Sequence, residues 1–256
     1  MSKSNKNQKP LISVIVASLN AELTLQHCLD SIVSQTYTKR EIIVIDGKSS
    51  DGTVGILQKN AGLIAYWESQ PDRGIYHAWN KAIQKAQGEY ICFLGADDYW
   101  AKDKSLEELV QVSVASNFPD IISGKVALIA KNNKILRQIG DEWNFKKMKK
   151  WMNIAHPGML HHKRVFEQYG LFLENFKIAG DYEFLLRLGD RIRHAFINDV
   201  IVHMGASGQS RVEIKKVFKE AFLIQAQHKE IGYTRATINY VLTYLKYWVR
   251  KITCEV

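Results

Sequence analysis

The sequence predicts an α/β protein whose core is a mostly parallel sheet covered by helices on both faces, half of a doubly wound arrangement. Two observations carry that fold class. Short β-branched apolar runs alternate with amphipathic segments from residue 11 to residue 94, and the strict alternation ends once residue 100 is passed. A third observation places a site. The apolar run 90–94 stops on the adjacent carboxylates Asp97 and Asp98, at the carboxyl end of a strand, where open α/β sheets collect their ligands.

Taken in order, residues 11–17 read as a strand, 23–35 as a helix, 41–46 as a strand, 53–59 as a helix, 63–68 as a strand, 75–86 as a helix and 90–94 as a strand. A helix near 106–115 follows, then a β-ribbon of 121–129 with 134–139, turned at Asn132-Asn133. Beyond it come a basic aromatic loop at 141–153, a short strand around 159–162, a helix from about 181 to 189, a strand at 195–203 and helix to the end. No repeat, low-complexity tract or clear linker interrupts the chain. The reading is therefore one catalytic domain over residues 1–210, with halves at about 10–100 and 101–210, and a helical appendage at 211–256.

At 256 residues and 46% apolar, the chain can bury a large core. Its three cysteines, Cys28, Cys92 and Cys254, are far apart and show no CxxC spacing, which predicts neither a zinc site nor a disulfide framework. The lysine-bearing start lacks the apolar core of a signal peptide and no run of about 18 apolar residues occurs, so a cytoplasmic protein is expected. The net charge of +9 is concentrated: residues 141–164 hold six Lys/Arg against two Asp/Glu, residues 211–256 hold nine against four, and the remainder balances at 20 against 20. Such segments form a docking surface for an anionic partner or an ordinary solvated face.

Polar residues follow the first, second and fourth strands: Ala17-Ser18-Leu19-Asn20, then Asp46-Gly47-Lys48-Ser49-Ser50-Asp51-Gly52-Thr53, then Asp97-Asp98. Asp46, at a strand tip, is read as free to accept hydrogen bonds from a base or ribose, while Ser50 or Asp51 caps the next helix. The spacing matches neither GxGxxG nor GxxxxGK[ST]. Hard carboxylate oxygens such as those of Asp97 and Asp98 suit Mg²⁺ or Mn²⁺ shared with substrate phosphates; the competing reading has the pair cap a helix beginning near Asp103.

Ile12-Ser13-Val14-Ile15-Val16 with Asn20, Ile43-Val44-Ile45-Asp46-Gly47 with Ser50-Asp51-Gly52-Thr53, Asp72-Arg73-Gly74-Ile75-Tyr76 with Asn80-Lys81-Ala82, Gly88-Glu89-Tyr90 leading to Ala96-Asp97-Asp98, and Gly180-Asp181-Tyr182-Glu183-Phe184 occur in an order that resembles glycosyltransferase family 2. The resemblance spans roughly residues 10–205, and within the family it is closest in kind to bacterial enzymes that assemble surface polysaccharides. It implies a GT-A fold, a nucleotide-diphosphate sugar donor of the UDP-sugar class, a Mn²⁺ or Mg²⁺ cofactor and inversion at the anomeric carbon. It further implies that Asn20, Asp46 and Asp97 belong to the donor site, Asp46 holding the base and Asp97 the ribose side, that Asp98 binds the metal, and that Asp181 is the general base. Several positions depart from the family pattern. Gly95 replaces the first acid of a DxD-like motif, Leu19 an aromatic, Ala17 a hydroxyl residue, Gly180 a glutamate and His77 an aspartate.

Arg73 and Lys81 are read as diphosphate ligands or as solvated cations, and His203, before Gly205-Ala206-Ser207-Gly208, as a metal ligand or a structural histidine. His156, His161 and Trp151 are acceptor-site candidates. In the last segment Ile238, Val241, Leu242, Leu245, Trp248, Val249 and Ile252 recur on one helical face, flanked by Lys246, Arg250 and Lys251, a pattern that lies on membranes or packs on the catalytic domain or a second subunit of a homodimer. The combined reading is an inverting hexosyltransferase, peripheral on the cytoplasmic face of the inner membrane, acting on a lipid-linked glycan. The rivals are a non-catalytic homologue that binds nucleotide sugar or glycan and a sugar nucleotidyltransferase, the latter opposed by a first loop (17–22) without glycine or lysine. No zinc-finger or RNP-type motif or arginine cluster favours nucleic acid.

Overall fold

A computed structural model describes residues 9–130, 134–205 and 213–253. In chain order the first half comprises β1 (Ile12–Ser18), α1 (Leu25–Val33), β2 (Arg40–Asp46), α2 (Thr53–Lys59), β3 (Tyr66–Ser69), α3 (Ile75–Lys85) and β4 (Tyr90–Gly95). The second comprises β5 (Tyr99–Trp100), α4 (Ser105–Ala115), β6 (Ile121–Ile129), β7 (Ile135–Ile139), α5 (Phe145–Met148), β8 (Leu160–His162), α6 (Lys163–Tyr169), α7 (Gly180–Leu188), β9 (His194–Gly205), α8 (Ile214–Gln227) and α9 (Gly232–Thr253). The predicted turn at Asn132-Asn133, the stretch 206–208 and Cys254 lie outside the described residues.

The strands form one sheet in the order β3-β2-β1-β4-β8-β6-β9-β5, with β7 paired to β6. β1 through β4 are mutually parallel, as the alternating pattern predicts, and β6 and β9 continue the parallel direction beyond the antiparallel β8. Successive side chains on a strand face opposite ways, and here both faces are buried. Ile15, Ile43, Ile45, Ile91 and Phe93 enter the core shared with α3 and α7, whereas Val14, Val16, Val44, Cys92 and Leu94 pack beneath α1 and α4. Cys28 and Cys92 are buried free thiols.

Three elements were not legible as periodic segments. β5 is two residues long and exists because it pairs with β9. Side-chain caps define α5 and α6: Asn144 accepts from Lys147 N at 2.9 Å, and His162 Nδ1 from Arg164 N at 3.3 Å.

The boundary drawn at residue 211 is corrected by the packing. Ile224, Ile231 and Ala236 belong to the same apolar core as α3 and α7, so α8 and the start of α9 complete the domain instead of hanging from it. Gln225 donates to the Tyr182 hydroxyl at 2.9 Å and to Lys150 O at 3.1 Å, and Asn239 donates to Gln225 at 2.8 Å and to Lys149 O at 3.1 Å. The face of α9 read as apolar points outward, leaving Ile238, Val241, Leu242, Leu245, Trp248 and Val249 exposed, while Tyr240, Tyr244 and Tyr247 meet Phe218 and Phe222 of α8.

Gly88 enters β4 where a Cβ atom would stand 2.6 Å from Ser13 N and 2.7 Å from Tyr90 O, backbone atoms that cannot step aside. Gly88→Ala is therefore expected to lower unfolding stability by about 1–3 kcal/mol, measured as a fall in the denaturant midpoint without a change in slope.

Candidate active site

The carboxyl edge of the parallel strands is built by register. Ser18 stands opposite Asp46 and Asp46 opposite Ser69, so three polar side chains lie abreast at the ends of β1, β2 and β3. The Asp46 carboxylate takes the Ser18 hydroxyl at 3.0 Å, the Ser69 hydroxyl at 2.6 Å, and Ser49 through both its hydroxyl (2.5 Å) and its N–H (2.9 Å). Asp46 is fully buried and does not line the cavity beside it. This corrects the expectation of a free carboxylate: Asp46 organises the loops, and its acceptor sites are taken.

Asn20 does reach the cavity. Its backbone is left-handed at φ 50°, a conformation asparagine tolerates, its N–H donates to the Ser49 hydroxyl at 2.8 Å, and its Oδ1 accepts from Ser50 N at 3.0 Å. The loops after β1 and β2 are thereby joined at the cavity rim.

After β4 the chain closes a tight turn: Asp98 N donates to Gly95 O at 3.0 Å and Asp98 Oδ2 accepts from Gly95 N at 2.7 Å. The pair caps no helix, since α4 starts at Ser105. Asp97 and Asp98 both line the cavity, and Asp98 is buried with its Oδ1 lacking any hydrogen-bond partner among the described residues. Burial, reinforced by the neighbouring Asp97, pushes the Asp98 carboxyl up to about 8. An acid held this way fits a hard divalent cation, whose charge would reverse the shift and occupy the orphaned oxygen. Gly95 explains its own departure from the family pattern: a Cβ there would lie 3.0 Å from both Asp97 Oδ1 and Asp98 Oδ2, and a third acid would crowd the pair. Gly205, at the end of β9, is equally constrained, with Asp97 Oδ2 2.4 Å from where its Cβ would be.

Asp181 sits in the first turn of α7 on the same cavity, half-buried, with Oδ1 accepting from the Tyr76 hydroxyl at 3.2 Å and from Tyr182 N at 2.8 Å. Burial raises it to about 6, against the lowering effect of those hydrogen bonds. Gly180 is glycine because Tyr76 fills the space: a Cβ would meet the tyrosine ring at 2.7 Å.

The remaining sequence candidates divide. Trp151 and His156 line the cavity. His156 stacks on Trp79 at 5.1 Å, and burial and His161 hold its imidazole neutral. His161 is a fully buried core histidine whose Nδ1 lies 3.4 Å from Ile91 O, so its acceptor assignment is corrected. His203 is also corrected. His203 is absent from the cavity wall, and its ring meets that of Tyr99 at 5.1 Å. Lys81 is ion-paired to Glu68 and Arg73 to Glu174, and neither lines the cavity; long cationic side chains found carboxylates elsewhere. His77, for which the sequence offered no reason, accepts from Arg73 N at 3.3 Å and closes that turn.

Sequence reasoning missed Asp72, Tyr76, Lys150, Lys177 and Lys216, all on the cavity wall. Asp72 was within a quoted motif and carried a signal; Lys216 lies on α8, which had been set apart. The cavity, of about 1060 Å³, runs from Asn20, Asp72, Asp97 and Asp98 past Asp181 to an apolar end formed by Trp151, Met152, Val217, Phe218, Phe222 and Tyr240.

The family model for glycosyl transferase family 2 matches residues 13–171. The chain belongs to glycosyl transferase family 2. This family 2 chain is 27% identical over 181 residues, 70% of its length and 69% of the relative's, to a PGL/p-HBAD biosynthesis glycosyltransferase of Mycobacterium bovis. It is 32% identical over 124 residues, 48% of each chain, to the UDP-Glc:alpha-D-GlcNAc-diphosphoundecaprenol beta-1,3-glucosyltransferase WfgD of Escherichia coli. Its GT-A fold superimposes on S. aureus TarS 1-349 in complex with UDP-GlcNAc with a TM-score of 0.67 at 17% identity, covering 90% of this chain and 70% of that one.

The Asp98 shift fixes a sign. A carboxyl whose folded value lies above its unfolded one favours the fold in acid, and that contribution is lost as pH rises through about 8. Asp98→Asn is accordingly expected to stabilise the family 2 fold at pH 8 by about 1–3 kcal/mol, and much less at pH 4, in paired denaturant titrations.

Proposed function

We propose that the protein is an inverting hexosyltransferase that moves a sugar from a UDP-linked donor to a lipid-linked glycan in surface-polysaccharide assembly. One observation carries this reading: Asp98, an acid that needs a cation, and Asp181, an acid that needs a proton donor, face a single cavity. The relative WfgD, a UDP-Glc:alpha-D-GlcNAc-diphosphoundecaprenol glucosyltransferase, supports the donor and acceptor classes.

Asn20 and Asp97 flank the donor, while Asp98 with Asp97 beside it would hold Mn²⁺ or Mg²⁺. When bound, that ion supplies charge neutralisation of the diphosphate. The acceptor hydroxyl enters from the side of Trp151 and His156. Its oxygen attacks the anomeric carbon as the bond to the diphosphate oxygen breaks, and its proton passes to Asp181. One in-line displacement inverts the centre. At pH 7 Asp181, at about 6, is mostly ionised and close to the optimum of a base.

Asp98→Ala is expected to abolish the rise in melting temperature given by UDP with Mn²⁺, whereas Asp181→Asn keeps that rise and loses about 10²–10⁴-fold in kcat. In the unaltered enzyme kcat should fall in acid with a midpoint near 6. Equal loss of UDP binding in both variants, or no turnover with any UDP- or GDP-sugar, would defeat the assignment.

The outward face of α9 is proposed to lie on an anionic bilayer. Five aliphatic positions, Ile238, Val241, Leu242, Leu245 and Val249, are exposed together, and the cations Arg235 and Lys246 stand beside them, Lys246 over the Trp151 ring at 5.0 Å. No helix among the described residues is long and apolar enough to cross a membrane. Leu245→Glu is expected to release the protein from phosphatidylglycerol vesicles in co-sedimentation. Unchanged sedimentation, with a shift from dimer to monomer in light scattering, would assign the face to a second copy.

A further inference from the structure

The loop entering α7 carries Lys177, Ile178 and Ala179, all on the cavity wall, and residues at a helix entrance present N–H groups with no intrahelical acceptor. A single side chain accepts all three. The Glu220 carboxylate, reaching across from α8, takes Lys177 N on Oε1 at 2.9 Å, and Ile178 N and Ala179 N on Oε2 at 2.9 and 2.8 Å. Asp181 follows two residues later.

The opposite flank of the loop is held by the donor side. The Tyr76 hydroxyl donates to Ile178 O at 2.7 Å as well as to Asp181, and Lys177 Nζ donates to Arg73 O at 2.6 Å and to Glu174 O at 3.0 Å. Tyr76 and Glu220 therefore grip the same short segment from two sides. Tyr76 belongs to a helix of the nucleotide half, and Glu220 to the C-terminal pair.

We propose that Glu220 is a positioning residue for the reaction, fixing the loop that aims Asp181 at the acceptor hydroxyl. The inference rests on the reading of Asp181 as general base. Charge-assisted bonds from one carboxylate to three consecutive N–H groups hold a backbone more firmly than neutral acceptors do, and a displaced base loses rate without loss of donor binding. Glu220 also acts on Asp181 through space. The titratable groups that bear on Asp181 are the Tyr76 hydroxyl from α3, which favours its ionised form, and the Glu220 charge from α8, which opposes it; Tyr182 of α7 contributes its N–H. Glu220 itself does not touch substrate and is not a catalytic residue.

The test uses the full-length protein with Glu220→Gln, which keeps the side chain's shape and one acceptor oxygen but removes its charge. The expected result is a fall in kcat of about tenfold to a hundredfold with the affinity for UDP and Mn²⁺ unchanged. The acid limb of the kcat profile should also move to lower pH, because a negative neighbour of Asp181 is gone. The limb's position does not depend on the fraction of protein that is folded, so a loss of stability leaves the measurement intact. Wild-type kcat with an unmoved limb would overturn the proposal, as would a loss of UDP affinity matching the loss of kcat. Asp181→Asn run in parallel separates the two readings: turnover retained there removes the base itself, whereas turnover lost there with an unmoved limb in Glu220→Gln removes only the positioning role.

Discussion

Burial of acid at the carboxyl edge of a parallel sheet is the constraint on which this architecture turns. Asp46, Asp98 and Asp181 all leave bulk water, and each meets the cost differently. Asp46 is satisfied internally by three serines set beside it by strand register. Asp98 is satisfied on one oxygen by its own turn, and its other oxygen is buried without a hydrogen-bond partner among the described residues. Asp181 is partly satisfied by Tyr76 and stays poised to exchange a proton near neutrality. One residue type thus serves as strut and, in the roles proposed above, as cation receptor and base, separated by the number of acceptor positions that the fold fills.

What the sequence made legible follows from the same logic. Strand periodicity and polar strand ends are local, so the parallel run β1 to β4 and the placement of Asn20, Asp97 and Asp98 at its carboxyl edge could be read from residue order, whereas Asp181, in the first turn of α7, was reached only through the family resemblance. The role of Asp46 could not, because its saturation depends on Ser18, Ser49 and Ser69 meeting from three segments. Arg73 and Lys81 failed for a related reason. A flexible cation takes the nearest carboxylate in space, and Glu174 lies 101 positions from Arg73. His203 failed because its ring packs on Tyr99, the residue paired with it across β5 and β9, a contact that a position near a strand end does not declare.

The C-terminal helices show how far periodicity reaches. The apolar stripe on α9 is real, but a stripe declares only that a face avoids water. The contacts that bind the helix pair to the domain are a few scattered apolar residues, Ile224, Ile231 and Ala236, with the amides of Gln225 and Asn239 bridging to Tyr182 and the loop at 148–150, while the α9 tyrosines meet Phe218 and Phe222 within the pair. Such contacts leave little periodic signal, and so the segment reads as an appendage. One face of α9 packs on the rest of the chain and the other is exposed.

α8 ties two parts of the cavity together. α8 supplies the apolar end of the cavity through Val217, Phe218 and Phe222, and the same helix supplies Glu220, which holds the segment preceding Asp181. A helix whose register slipped by one residue would turn Phe218 and Phe222 off the cavity and carry Glu220 away from its three N–H partners together, since all three side chains lie within little more than one turn of the same helix. The apolar part of the cavity wall and the placing of the segment before Asp181 are therefore not independent features of this fold. They are set by the packing of one helix against the α7 entrance, and that packing is secured by Ile224 and Gln225 buried at its far end.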